Sequence, residues 1–446
     1  MEPEAGKSRL SEKAPGSNDT ATISSVAIPS SIPRETQVFR KHMGFFSTLV
    51  AGFSINNSLL VAAATMIIPL TFGPMITAID ILIVAVVYKC IGLSLAELVS
   101  AYPTVGGQYH WTSLLAPDSL RRGMSFVCGF LSWVSWIALA AASYGAISMC
   151  ANALAFNSNL DFVPREWYAF LFYQAVNTLS LVANMLAHSH LRKLYSIGLF
   201  VSLAGSTAIT VTSLALQKQK QISQLVWELS FQIPGWPVGM EVLISLAGPV
   251  ATGSNIAAIV FTPVVMFLLP IGSIASAHIA SMMTWSLGQD HALLFSHRLS
   301  SIHPKLNTPV WALIQNWCLM FIIGVLYFAS SIAFNNIVGI AAILQQLTIS
   351  CPVVLVLYQK RFEGALPSKR PFKLSRAIGW VCNLVTVGFT AVTSVTFLFP
   401  ATTTASPQSM NSAIVVLFGV LLLAIVNWFG YAKKHHDSPV IVQVHD

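Results

Sequence analysis

Ten apolar stretches of about 20 residues or more dominate this 446-residue chain, and nearly every charge falls in the gaps between them. The stretch 411–431 carries no ionisable group except a terminal tyrosine. In lipid the backbone N–H and C=O groups of such a segment can be satisfied only internally, so it must be a helix. The expected spans are approximately 44–69, 74–101, 124–156, 166–187, 194–216, 254–287, 309–330, 335–358, 376–400 and 411–431. The fold class is therefore an all-α polytopic membrane protein with about ten transmembrane helices.

Composition agrees: 55% of residues are hydrophobic and 9% are charged, against roughly a quarter charged in a soluble domain. The formal charge of +8 does not imply nucleic acid, because basic residues gathered in short loops are what membrane orientation requires. Lys7, Arg9, Lys13, Arg34, Arg40 and Lys41 precede the first span. Every second gap after it is basic: Arg121/Arg122, Arg192/Lys193, Arg298/Lys305, six residues between 360 and 376, and Lys433/Lys434. That places 20 of the 24 Lys and Arg on one side, so both termini are expected in the cytoplasm. Residues 1–43 and 432–446 are expected as cytoplasmic tails, the first of them disordered, flanking a membrane domain over 44–431.

The alternation holds only if the leftover apolar piece 237–250 does not cross. A crossing there would move ten later basic residues to the wrong face. At 14 residues, with Gly239, Glu241, Gly248 and Pro249, the piece is expected to be re-entrant or interfacial.

The six cysteines all fall in apolar runs with no ligand or redox spacing, and read as small buried hydrophobes. The closest histidine sets, His188/His190, His291/His297/His303 and His435/His436, sit beside Lys or Arg and read as polar loop residues, and His278, inside a span, reads as a hydrogen-bonded core residue rather than a proton relay. Lys89 lies deep in the second span, where it is a candidate for a proton- or substrate-linked role, although a salt bridge to another helix is the favoured expectation. No nucleophile–base or metal constellation suggests an enzyme, and no P-loop is present to hydrolyse ATP.

Chemistry concentrates in two places. Gly52, Ser54, Ile55, Asn56, Asn57 and Ser58 form a run of weak helix formers near the middle of the first span. Such a run either breaks the helix to bind a substrate or bonds helices to one another. The second span ends in Leu93-Ser-Leu-Ala-Glu-Leu-Val-Ser-Ala-Tyr-Pro103, followed by Thr-Val-Gly-Gly-Gln-Tyr-His-Trp111. Pro103, Gly106 and Gly107 stop the helix, and Gln108 to Trp111 read as a polar-aromatic belt at the cytoplasmic surface.

That last pattern resembles the signature ending the second helix of the amino acid–polyamine–organocation transporters, in particular their fungal GABA and choline permease branch. Phe53-Ser-Ile-Asn-Asn-Ser58, Met283-Thr-Trp-Ser-Leu-Gly-Gln-Asp290, His303-Pro-Lys-Leu-Asn-Thr-Pro309 and Ser330-Ser-Ile-Ala-Phe-Asn335 resemble further motifs of the branch in the right order. The resemblance implies a shortened version of a twelve-helix inverted-repeat fold. It implies alternating-access transport of an amino acid, choline, GABA or polyamine, or of a specialised metabolite like an amino acid. It places substrate at Gly52–Ser58 and a cytoplasmic gate at Glu97, Gly106, Gly107, Gln108 and Tyr109. No cofactor is implied; the expected coupling ion is H⁺, and the partners are a small-molecule substrate and the bilayer, with no nucleic acid. The plasma membrane is favoured over the vacuolar one.

The sequence departs from the family in passing from Gly235–Leu246, like the start of a sixth helix, to Ala251–Ser254, like the loop before an eighth. Some tens of residues, including half of the family's binding site, are missing between them. A non-transporting relative, or an incomplete product of an intact gene, is the alternative this departure raises. Met282 and Gln289 also stand where the family commonly has arginine.

Overall fold

The computed structural model describes residues 48–50, 52–53, 74–158, 165–186, 191–216, 255–329, 331–361, 366–367, 370–398 and 413–436. The helices are α1 (Pro74–Ala101), α2 (Gln108–Leu115), α3 (Arg121–Ser158), α4 (Glu166–Leu186), α5 (Leu191–Leu216), α6 (Asn255–Gln289), α7 (Ser296–Leu299), α8 (Val310–Ala329), α9 (Ser331–Tyr358), α10 (Arg376–Thr396) and α11 (Ala413–Asn427). A π turn, Trp428–Ala432, and a last helical turn, α12 (Lys433–His435), continue α11. Nine of the ten expected spans thus stand as helices, and among the described residues eight helices are long and apolar enough to cross a membrane. The first span beyond Phe53, the piece 237–250, and both tails except 432–436 lie outside the described residues.

Burial sorts the helices. In α3 and α9, 72% and 67% of the most apolar window is buried inside the protein, against 17% for α1 and 11% for α11. The interior therefore belongs to α3 and α9, and α1 and α11 present apolar sides outward, as lipid-facing helices do. Small residues on α3 allow this close approach. A Cβ on Gly145 would lie 2.5 Å from the Phe334 ring of α9, and one on Gly129 would lie 2.7 Å from Leu287 of α6. Buried hydroxyls tie the same helices together, with Ser135 Oγ donating to the Ala341 carbonyl at 2.9 Å.

Pro352 lies inside α9 and has no N–H for the Thr348 carbonyl four residues earlier. The Cys128 thiol of α3 donates to that carbonyl, Sγ to O 3.7 Å. On α10 the threonines Thr386, Thr390, Thr393 and Thr396 are buried, and each hydroxyl donates to a carbonyl of its own helix. A polar stripe is thereby made compatible with a dry interface.

Following the chain, α1 and α6 end on the same face, since Tyr109 and His110 just after α1 meet Asp290 just after α6. Crossings by α3, α4 and α5 lie between them, so α5 ends and α6 begins on the opposite face, in agreement with the alternation of basic gaps. The ends of α9 and α11 return to the first face, where Arg361 meets Glu97 and His436 meets Asp290.

Three expectations are corrected. Lys89 is exposed on the outer side of α1, and among the described residues it makes no ion pair; the long stem of a lysine can lie along apolar surface while its amine reaches outward. The belt Gln108–Trp111 is not a surface belt, because Tyr109 and Trp111 are buried. The helical run ending the chain passes 431 and continues to His435, and His436 is fully buried rather than part of a solvated tail. Among the cysteines, Cys128 and Cys382 are buried as expected, and Cys318 is exposed on the outer side of α8.

Candidate functional site

The face that gathers the basic loops is held by two polar nodes. The first centres on Glu97, in the last turn of α1 and 2% exposed. Arg361 Nη2 donates to its Oε2 at 2.6 Å, Arg370 Nη2 donates to its Oε1 at 2.7 Å, and the Leu374 backbone N–H donates to Oε1 at 3.2 Å. The segment after α9 is thus folded back onto the end of α1. Arg361 makes the reversal with a left-handed backbone, φ 53°, and its guanidinium occupies the space where a Cβ on Gly379 would stand. Arg370 also donates to the carbonyls of Leu366 and Pro367, and the Phe372 N–H donates to Ser100 Oγ at 2.8 Å. Two buried guanidiniums on one buried carboxylate leave this node with a net positive charge.

The second node centres on Asp290. Tyr109 Oη donates to Asp290 Oδ2 at 2.7 Å and lies 2.7 Å from Ser286 Oγ; His110 Nε2 lies 3.3 Å from the same Oδ2. Burial pushes the Tyr109 phenol well above its usual range, and the negative charge of Asp290 pushes it further. The hydroxyl therefore remains a donor at any physiological pH. The Asp290 carbonyl accepts from His436 Nδ1 at 2.8 Å, and Arg122 donates to the His436 carbonyl at 3.0 and 2.7 Å. Asn427 Nδ2 donates to the Ala292 carbonyl at 3.0 Å. The end of the last helical run is thus fastened to the start of α3 and to the loop after α6.

Local geometry explains the glycine pair. Gly107 caps α2 with φ 56° and ψ −120°, a conformation open essentially to glycine alone. A Cβ on Gly106 would lie 2.5 Å from the His110 ring and 2.6 Å from Tyr109. Together they turn the chain from the end of α1 into α2, which is held by Trp111 Nε1 donating to the Tyr102 carbonyl at 2.8 Å and Gln359 Nε2 to the Leu115 carbonyl at 2.6 Å. Tyr109 packs over Gly129, where a Cβ would approach its ring to 3.2 Å.

Of the sequence-selected residues, Glu97, Gly106, Gly107, Gln108 and Tyr109 therefore gather on one face. Gly52 is helical and exposed, with open space where a Cβ would stand. Ser54, Ile55, Asn56, Asn57 and Ser58 lie outside the described residues. Sequence reading passed over Asp290, Arg361, Arg370 and His436 as partners. Asp290 was within reach, since it closes a quoted motif. Among the described residues no group of three or more metal-ligating side chains comes together.

The model of a family described as amino acid permease matches residues 43–253 and 239–421. The two matched stretches overlap at 239–253, the region where the sequence departs from the family pattern. A transmembrane transporter of Metarhizium robertsii is 27% identical over 486 aligned positions, covering 91% of this chain and 94% of the relative. Because those positions outnumber the residues of this chain, the relative contains some tens that have no counterpart here. A swainsonine transporter of Arthroderma benhamiae is 28% identical, covering 88% of this chain and 91% of the relative. A choline transporter of Saccharomyces cerevisiae is 24% identical, covering 90% and 83%.

Proposed function

The chain belongs to the amino acid permease family, and from that premise we propose that it carries a small nitrogenous solute across the bilayer by alternating access. It is a multi-span membrane transporter and not an enzyme. Choline, amino acids, GABA and polyamines are the substrate classes, with choline the substrate named for one relative; a specialised metabolite resembling an amino acid is the variant, and one relative is named for carrying a specialised metabolite, swainsonine. Substrate sits at Gly52–Ser58, where an interrupted helix would offer N–H groups to an anionic end and carbonyls to a cationic one. H⁺ is the coupling ion, and the plasma membrane is the site, with the basic face in the cytoplasm.

The observation that carries this reading is the closure of the basic face by two separate nodes. Each joins the α1–α2 corner to an element far away in sequence: Glu97 to the segment after α9, and Tyr109 to the loop after α6. Side-chain contacts of this kind can be made and broken without disturbing helix backbones. In the proposal Glu97 and Tyr109 hold the cytoplasmic gate shut, and both nodes part when the site opens inward.

The test is uptake of radiolabelled choline, GABA, amino acids and polyamines by permease-deficient yeast expressing this 446-residue chain. Accumulation of one class, reduced by Asn56→Ala and Asn57→Ala at unchanged membrane abundance, is expected. Loss of abundance in those variants would instead assign the asparagines to helix contact. The missing residues between Leu246 and Ala251 favour a second reading, a non-transporting relative. Silence of this chain beside activity of a version with the family's segment restored would select it.

A further inference from the structure

On the basic face, the loop that runs from α6 through α7 to α8 carries a guanidinium that neither node uses. The inner side of this loop is pressed against the end of α6. Leu293 and Leu299 are buried, a Cβ on Gly288 would lie 2.9 Å from Leu299, and Trp285 Nε1 donates to the Ser300 carbonyl at 3.0 Å. The outer side is uncovered: Leu294 and Phe295 are 56% and 76% exposed. Phe295 also holds a left-handed backbone, φ 61°, which is an unusual conformation for a bulky residue.

Trp311, in the first turn of α8, heads the outward stripe of that helix. Cys318, Ile322 and Val325 follow it at helical spacing and are exposed, while Leu313, Asn316 and Met320 on the opposite side are buried. Such a stripe faces lipid. Trp311 therefore stands where the hydrocarbon gives way to the headgroups, the depth that indole rings favour. Arg298 Cζ lies 5.7 Å from the centre of the Trp311 ring. The guanidinium is thus placed at headgroup depth, against the lipid-facing side of α8.

Stacking uses the face of a guanidinium and leaves the N–H groups around its edge able to donate. Among the described residues no carboxylate pairs with Arg298. Residues 291–309 hold Arg298 and Lys305 and no Asp or Glu. A planar fork of donors at the depth of lipid phosphates matches a phosphodiester, taken through two parallel N–H···O bonds. The cationic end of a zwitterionic headgroup would find no acidic side chain in this loop, so a lipid of net negative charge fits better.

We propose that Arg298, stacked on Trp311, binds the phosphate of an anionic phospholipid whose glycerol and upper acyl region cover Leu294 and Phe295. The proposal goes beyond the transport reading and shares with it only the placement of the basic face in the cytoplasm, where anionic lipid is concentrated. Nanodiscs with the same lipids in both leaflets remove that dependence from the test.

The full chain is placed in nanodiscs of phosphatidylcholine mixed with phosphatidylserine, and the lipids retained on the ejected protein are counted by native mass spectrometry. The parent chain is expected to retain phosphatidylserine in preference to phosphatidylcholine. Arg298→Ala should lower that preference about fivefold, the worth of one basic residue at an anionic surface. Trp311→Leu should lower it too, because the guanidinium loses its stacking partner. Lys305→Ala, an exposed cation of the same loop, should leave it nearly unchanged. Equal losses for Arg298→Ala and Lys305→Ala would mean diffuse attraction without a site. No loss for Arg298→Ala would leave Arg298 and Phe295 to a cytosolic partner. Either result overturns the proposal; if Trp311→Leu does not fold, the comparison of the two exposed cations decides. None of these readings needs transport to occur, so failure of the transport reading shows separately, as silence in the uptake assay.

Discussion

Tyr109 shows how much one hydroxyl can hold. Its ring is buried over Gly129, and its oxygen meets both Ser286 and Asp290. Tyr109→Phe keeps the ring and removes the oxygen, so a carboxylate oxygen at a part-buried site loses its best donor. A loss of about 1–3 kcal/mol is expected, read as a lowered Tm in detergent. If the node is a gate, the uptake rate should change as well. An unchanged Tm would mean that water replaces the phenol without cost. Gly107→Ala tests the neighbouring position by a different route. With φ 56° and ψ −120°, a Cβ there adds backbone strain of about 1–3 kcal/mol. Thermal unfolding should show Gly107→Ala below the parent chain. Equal stability would mean that α2 can start in another conformation.

At the scale of elements, the spans were legible because lipid leaves so few choices. Twenty apolar residues without a charge must form a helix, and α8, expected at 309–330 and found at Val310–Ala329, shows how tightly that limits the ends. The partners of Glu97 were not legible. Arg361 and Arg370 lie 264 and 273 residues further along, and in sequence they were two of six basic residues in one loop. Nothing local distinguishes a guanidinium that turns back into the protein from one that faces anionic lipid. The belt 108–111 was misread for a related reason. Aromatics beside a span usually sit at the interface, but the Gly106-Gly107 corner lays α2 inward instead.

The Glu97 node yields a prediction of its own. Glu97→Gln keeps the shape and removes the charge, leaving two buried guanidiniums without an anion. Removing one partner from a buried ionic group costs on the order of 3–5 kcal/mol, so Tm should fall well below that of Tyr109→Phe. Adding Arg370→Gln should recover part of the loss, because one uncompensated charge disappears. Turnover should suffer more than substrate affinity if the node acts as a gate. No recovery in the double variant would mean that the arginine is held mainly by the Leu366 and Pro367 carbonyls.

For the whole molecule, the two arrangements to be separated are the basic face in the cytoplasm and its inverse. Placing 20 of 24 Lys and Arg on one face argues for the first, since basic loops resist translocation and acidic residues count for little. The helix ends support the same partition independently of charge. Glu97, Tyr109, Asp290, Arg361 and His436 meet at one face, and Glu166 begins α4 at the other. Ser301 and Glu166 are both exposed, one in the loop after α7 and one at the far end of α3 and α4. In right-side-out vesicles a membrane-impermeant maleimide should therefore label Glu166→Cys at once. It should label Ser301→Cys only after permeabilisation, each measured against the parent chain with its six cysteines. The reverse pattern would invert the bundle and place the Glu97 and Asp290 nodes at the outer gate. Labelling of both positions from one side would break the alternation of α3 to α6 on which the assignment of every later helix depends.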